Sequence, residues 1–245
     1  MARYRGELSP DQGLALDAII AWWKDGTRQH ITLGGYAGTG KTTLIGAVKR
    51  AIAAERPETA TAFCCFTGKA SRILREKVRE ARAFERHDFC GTIHSLIYDP
   101  VFDDRRRITG WERVEEVPHE LIIVDEASMV NGEIWRDLCS FGKRIIAVGD
   151  HGQLPPVEGR FNLMEDPELR LERIHRQAEG NPVIRLSMMA REEGRIPVGV
   201  YAPGVEKMDG SLEETAERVD GMFFWNDPDT MVLCGLNRTR IALNR

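Results

Sequence analysis

The stretch Gly35-Tyr-Ala-Gly-Thr-Gly-Lys-Thr-Thr43 decides the fold. From Gly35 to Thr42 it fits the phosphate-binding pattern G-x-x-x-x-G-K-[ST]. The run before it, His30-Ile-Thr-Leu-Gly34, reads as a short buried strand, and residues 43–55 read as a helix. Strand, glycine-rich turn and helix form the context in which this pattern carries chemistry. The glycines let backbone N–H groups turn inward and approach phosphate oxygens, and the helix N-terminus adds partial positive charge at the same spot. Gly35, Tyr36, Ala37, Gly38, Thr39, Gly40 and Thr43 are thus candidates to cradle ATP. Lys41 would reach the β- and γ-phosphates, and the Thr42 hydroxyl would ligate Mg²⁺.

The second half of such a site stands downstream. Leu121-Ile-Ile-Val-Asp-Glu126 is an apolar run ending in two carboxylates. An apolar run buries a strand in a parallel sheet, and its acids emerge at the carboxyl end, where such sheets bind ligands. Asp125 would hold Mg²⁺, and Glu126 would orient and deprotonate the attacking water. Arg144-Ile-Ile-Ala-Val-Gly-Asp150 is another buried strand, and Gln153 lies just past its end, where an amide can sense the γ-phosphate. Arg176 is a candidate cation for the same phosphate.

The 245 residues allow one large domain or two small ones. Hydrophobic content of 42% and charged content of 29% are those of a soluble globular chain. No apolar run approaches the ~20 residues of a membrane span, and the N-terminus lacks a signal-peptide core. The cysteines, Cys64, Cys65, Cys90, Cys139 and Cys234, form no C-x-x-C pair and no zinc spacing, which points to reduced thiols in a cytoplasmic protein. Cys64 and Cys65 fall in an apolar run and read as buried structural thiols. The formal net charge of −4 does not suggest a nucleic-acid coat, yet leaves room for a local basic groove.

Along the chain, Leu8-Ser-Pro-Asp-Gln12 opens a helix, with Ser9 at the N-cap and Pro10 at the first helical position. The Gln12 amide is able to read adenine as a bidentate pair, although its spacing alone suits a solvent-exposed glutamine. Residues 59–66 read as a second buried strand. The turn Thr67-Gly-Lys69 leads into a helix rich in Lys and Arg, and Thr67 with Gly68 could offer a hydroxyl and an N–H to a phosphate. Residues 89–97 read as a short strand with a Thr-x-His turn, where His94 is ordinarily structural. Within 98–118, the segment 105–113 reads as a hairpin turning near Thr109-Gly110, or as a solvated loop. Asn181 and Pro182 begin a helix to Arg191. From Gly194 to about Gly221, glycine, proline and charge dominate, with a possible short helix at 212–218.

These residues, in this order, resemble superfamily 1 helicases of the RecD and Dda type. Leu8 to Gln12 resembles the adenine-reading Q motif. Gly35 to Thr42 is similar to motif I, and Val124-Asp-Glu-Ala-Ser-Met129 to motif II with its Ala-Ser-Met tail. Val148-Gly-Asp-His-Gly-Gln-Leu-Pro-Pro156 resembles motif III. His175-Arg176-Gln177 resembles motif IV, whose arginine contacts the γ-phosphate. Thr67 to Ser71 resembles motif Ia, and Thr92-Ile-His-Ser-Leu96 a further DNA-contacting motif. The resemblance therefore implies single-stranded DNA contacts at Thr67, Gly68, Lys69, Thr92, His94 and Pro155. It implies an α/β fold: a RecA-like P-loop NTPase lobe over residues 1–195, with a mostly parallel sheet flanked by helices. It places a duplex-splitting pin at 98–118, a connector at 196–229, and the start of a second RecA-like lobe at 230–245. It implies 5′→3′ polarity and action on single-stranded DNA or a DNA fork.

The family pattern also needs motifs V and VI on a second lobe, and no such segment stands in this sequence. A second polypeptide or a C-terminal half would supply them. The expectation is that this polypeptide alone binds ATP·Mg weakly, hydrolyses it slowly and does not unwind DNA. A fragment, a split-gene product and a remnant all fit, and the intact Asp125-Glu126 pair favours the first two. Two other readings stay open: a one-lobe PhoH-like P-loop ATPase, and a nucleotide-gated DNA-binding module without turnover. Gln12, Ala127-Ser-Met129 and Pro155-Pro156 favour the helicase.

Overall fold

Six short strands pair side by side, and the central four are buried on both faces. They are β1 (His30–Gly35), β2 (Thr61–Cys65), β3 (Phe89–Thr92), β6 (Leu121–Val124), β7 (Arg144–Gly149) and β8 (Leu169–Leu171). Their order across the sheet is β3-β2-β6-β7-β1-β8, and every pairing is parallel. The computed structural model describes residues 8–153, 161–173 and 181–210, with Glu214, Glu217, Gly235, Arg238, Thr239 and Ile241. The chain divides into two compact units, Met1–Gly180 and Asn181–Arg245.

In the first unit, alternate strand residues feed two cores. Phe63, Cys65, Leu121, Ile123, Ile146 and Val148 face α1 (Pro10–Asp25), α2 (Lys41–Glu55) and α3 (Gly68–Glu80). Ala62, Cys64, Ile122, Val124, Ile145 and Ala147 face α4 (Ile93–Ile97) and α5 (Gly132–Ser140) on the other side. Cys64, Cys65 and Cys90 are buried free thiols within these cores. This is the RecA-like arrangement of a parallel sheet flanked by helices. Parallel strands need crossover helices, and those helices cover both sheet faces. The β7 strand separates β1 from β6, so the loop after β7 emerges between the glycine-rich turn and the Asp125-Glu126 pair.

Three local readings change. The segment 98–118 does form a hairpin, β4 (Tyr98–Phe102) with β5 (Ile108–Arg113), but it turns at residues 103–107 rather than at Thr109-Gly110. Asp103 makes that turn: its carboxylate accepts the Arg105 and Arg107 N–H groups at 2.9 and 2.8 Å. Thr109 and Gly110 lie within β5, with Gly110 opposite Val101. Second, residues 93–97 are helical, because Thr92 and Ser95 cap one another, Ser95 N donating to Thr92 Oγ1 at 3.1 Å. Third, the glycine- and proline-rich stretch after Gly194 contains a hairpin, β9 (Gly199–Ala202) with β10 (Val205–Lys207). Its turn has Pro203 followed by Gly204 at φ 74°, the pairing a type II turn requires.

The second unit also holds α6 (Pro182–Glu192), whose N-cap Asn181 accepts the Val183 N–H at 2.9 Å. Most of 212–218 and 230–245, including the expected start of a second lobe, lies outside the described residues. Among the described residues no helix is long and apolar enough to cross a membrane.

Candidate nucleotide site

The carboxyl ends of β1, β6 and β7 open into one cavity of about 1,080 Å³. Ala37, Gly38, Gly40, Lys41, Thr42 and Thr43 line it from the glycine-rich turn. Asp125, Glu126, Asp150 and Gln153 line it from the neighbouring strand ends. Lys41, Thr42, Asp125, Glu126 and Gln153 thus meet in one place, whereas Gln12, Gly35, Tyr36 and Thr39 do not line the cavity.

The turn is shaped for anions. Gly38 and Gly40 have φ of 83° and 75°, values that L side chains rarely adopt, and α2 starts directly after them. The Lys41 ammonium donates to the Gly35 and Tyr36 carbonyls at 2.6 and 3.1 Å. Thr39 Oγ1 donates to the Tyr36 carbonyl at 2.8 Å, and the Tyr36 ring lies 4.3 Å from that of His151.

Gln12 is not the solvent-exposed glutamine that its spacing suits. It is wholly buried, and its amide nitrogen donates to the Thr39 carbonyl at 2.9 Å and the Gly40 carbonyl at 3.4 Å. Its amide oxygen accepts the Ser9 N–H at 2.9 Å. The amide nitrogen thus braces the turn from behind, while the amide oxygen closes the N-terminus of α1.

The two acids have distinct environments. Burial, and then the Glu126 charge, push the Asp125 carboxyl up to about 6; Lys41 and Lys77 act in the opposite direction. Asp125 Oδ1 accepts the Glu126 N–H at 3.0 Å. Glu126 sits in the left-handed region, φ 56° and ψ 39°, a strained conformation for a non-glycine residue that clusters at functional sites. Its carboxylate accepts from Gln153 Nε2 at 3.2 Å, and the Gln153 amide oxygen accepts from Ser128 Oγ at 3.1 Å. Ser128, Gln153 and Glu126 thus form a chain that aims the carboxylate.

This donor set suits a nucleoside triphosphate with Mg²⁺. Thr42 and Asp125 supply one hydroxyl and one carboxylate, and Mg²⁺ is ordinarily held by one or two carboxylates plus substrate phosphates. Mg²⁺ needs the ionised carboxylate. With Asp125 raised to about 6, Mg·nucleotide affinity is expected to hold above that pH and to fall as pH drops through it. Titration calorimetry from pH 5 to pH 8 checks this, and a flat profile overturns it.

Sequence reasoning passed over Ser128, which lies in the Ala127–Met129 turn, and Asp150, which is 4% exposed and accepts the Gly152 N–H at 2.8 Å. The signal for Asp150 was the one that marked Asp125: an acid directly after an apolar strand. The polar candidates of the other edge are also brought together. Thr67 caps α3, accepting the Ala70 N–H at 3.3 Å, and Gly68 and Lys69 beside it are exposed. Thr92 caps α4 at the end of the adjoining strand β3, opposite Cys65. The His94 ring lies between Phe66 and Tyr98, at 6.3 and 5.5 Å. Arg176 and Pro155 lie outside the described residues.

Comparison with known proteins matches the AAA domain family (AAA_30) to residues 7–208. The chain is 33% identical over 191 residues to the ATP-dependent RecD2 DNA helicase of Deinococcus radiodurans, covering 74% of this chain and 23% of that protein. It is 33% identical over 210 residues to the RecBCD enzyme subunit RecD of Mycolicibacterium smegmatis, covering 76% of this chain and 37% of that subunit. The Pif1 helicase structure from Candida albicans aligns with a TM-score of 0.46 at 19% identity, over 86% of this chain and 54% of that one. The chain thus spans between 23% and 37% of the length of these two curated relatives.

Proposed function

Because the chain belongs to the AAA domain family, as a P-loop domain of the RecD/Dda type of superfamily 1 helicase, we propose that it binds and hydrolyses ATP·Mg as the first lobe of a 5′→3′ DNA helicase. The observation that carries this reading is the single cavity shared by Lys41, Thr42, Asp125, Glu126 and Gln153.

The residues divide the work as follows. The backbone amides from Gly38 to Thr42 hold the β- and γ-phosphates. Lys41 exchanges the Gly35 and Tyr36 carbonyls, its present acceptors, for phosphate oxygens. Thr42 and Asp125 would hold Mg²⁺, which would supply positive charge against the phosphates. Glu126, aimed by Gln153, takes a proton from the attacking water. Gln12 keeps the turn in its phosphate-binding shape from behind. Arg176 would add a cation at the γ-phosphate, and motifs V and VI on a second lobe or partner polypeptide would complete the site.

The DNA side is assigned to Thr67, Gly68, Lys69, Thr92, His94 and Pro155. The first four lie at the carboxyl ends of the adjoining strands β2 and β3. Single-stranded DNA, alone or at a fork, is the proposed track, and the β4–β5 hairpin the proposed pin. Phe102, Ile108 and Trp111 are each more than half exposed on that hairpin, as a wedge between bases requires. The proposed organisation is a lobe at 1–195 with the pin at 98–118, a connector at 196–229 and the start of a second lobe at 230–245. Cytoplasmic action follows from this reading.

The test is ATP binding and turnover by the purified chain, with and without single-stranded DNA, beside Lys41→Ala. The expected result is Mg-dependent ATP binding that Lys41→Ala abolishes, with slow turnover. Absence of ATP binding would overturn the whole reading. Robust DNA-stimulated turnover would overturn the need for a second lobe.

A further inference from the structure

The cavity continues beyond the phosphate cradle, between α2 and α3. There Arg50, Lys77 and Arg82 line it with positive charge, against Glu80 as the acidic lining residue among the described ones. Arg50 is engaged, donating to the Ala81 carbonyl at 2.6 Å. Lys77 is exposed, and among the described residues its ammonium has no hydrogen bond or ion pair. A lysine in the last turn of a helix ordinarily serves the helix dipole and points to water. This one lines the same cavity as Lys41, Asp125 and Glu126, and its charge acts on the Asp125 carboxyl.

The charge balance at the catalytic end gives that position a purpose. Among the described lining residues, Asp125, Glu126 and Asp150 stand at the strand ends against Lys41. A nucleoside triphosphate would bring about four further negative charges to that end, and Mg²⁺ offsets two of them. A flexible ammonium with three rotatable donors suits an oxyanion that changes position as it is cleaved.

The geometry points to Lys77 as a second lysine of the phosphate site, meeting the terminal phosphate from the α3 side and so favouring a triphosphate over a diphosphate. This rests on the reading of the cavity as a nucleotide site. Charge-assisted hydrogen bonds are roughly twice as strong as neutral ones. A bond confined to the terminal phosphate strengthens triphosphate binding and leaves diphosphate binding untouched.

The experiment measures the affinity of the purified chain, with Mg²⁺, for ADP, for ATPγS and for ADP with beryllium fluoride, by displacement of a fluorescent nucleotide. Lys77→Gln is expected to weaken ATPγS and ADP–beryllium fluoride by roughly tenfold, with ADP affinity held within about twofold. Lys77→Arg restores most of the loss. Arg72→Gln, an exposed change on the same helix outside the cavity lining, leaves all affinities unchanged. An unchanged triphosphate affinity, or an equal loss for ADP and ATPγS, overturns the assignment. A wild-type chain that binds none of these ligands overturns the nucleotide reading itself and the Lys77 assignment with it.

Discussion

Glu126→Gln is expected to lower ATP turnover by about 10²–10⁴-fold, the range over which a positioned general base contributes. Affinity for ATP·Mg should stay within about threefold of wild type. The substitution keeps the side-chain volume and an oxygen that accepts from Gln153, so the Ser128–Gln153–Glu126 chain survives. It removes the carboxylate proposed to accept the proton from water. Asp125 and Thr42 are untouched, which leaves the proposed Mg²⁺ contacts in place. Single-turnover hydrolysis of labelled ATP, run beside equilibrium binding, separates the two quantities. Turnover at the wild-type rate would remove Glu126 as the base. A parallel collapse of binding would make it structural.

The second large effect concerns stability. Lys49→Ala is expected to destabilise the chain by about 3–5 kcal/mol, the usual cost of leaving one member of a buried ion pair alone. Lys49 and Asp88 are each 1% exposed at the side chain and lie 2.9 Å apart. The ammonium also donates to the Thr59 carbonyl at 3.0 Å and to Thr61 Oγ1 at 3.2 Å. Asp88 accepts the Thr61 and Glu85 N–H groups at 2.9 Å each. One lysine thus joins the helix after the glycine-rich turn to the start of β2 and to the loop before β3. Total stabilities of ~5–15 kcal/mol make such a loss a large fraction of the whole. A melting temperature lower by roughly 6–20 °C is the corresponding readout. Lys49→Met combined with Asp88→Asn should recover at least half of it, because no buried charge is then left unpaired; Glu85, the other carboxylate on Lys49 at 3.1 Å, is 41% exposed and can turn to water. A melting shift of under about 2 °C for Lys49→Ala would show that the pair is solvated.

Five of the six sheet strands and the phosphate cradle were legible because burial forces continuous apolar runs, and because phosphate chemistry leaves few choices of residue; β8, three residues with an exposed Arg170 at its centre, carries no such run. Residues 30–34, 121–124 and 144–149 carry the first signal, and 35–42 with Asp125-Glu126 carry the second. What was not legible depends on short-range hydrogen bonds that composition does not announce. Thr109-Gly110 had the better turn composition, yet the Asp103 carboxylate gathers two N–H groups and moves the turn forward. The five residues of α4 are too few to show a helical period, and their Thr92–Ser95 cap is visible only once folded. Pro203-Gly204 was a readable turn signal, submerged in a stretch already rich in glycine and proline. Lys49 and Lys77 are indistinguishable in sequence from surface lysines. One is an interior strut, and the other lines a cavity.

The amide of Gln12 has a practical consequence for anyone shortening this chain. A cut placed just ahead of β1 would spare every candidate phosphate, metal and water ligand from Gly35 onward, and on paper would yield a minimal binding unit. It would also discard the prop behind Thr39 and Gly40 and the Trp22 ring on which Arg144 stacks at 4.1 Å. The shortest competent version therefore begins upstream of its own signature, at the helix that carries Gln12.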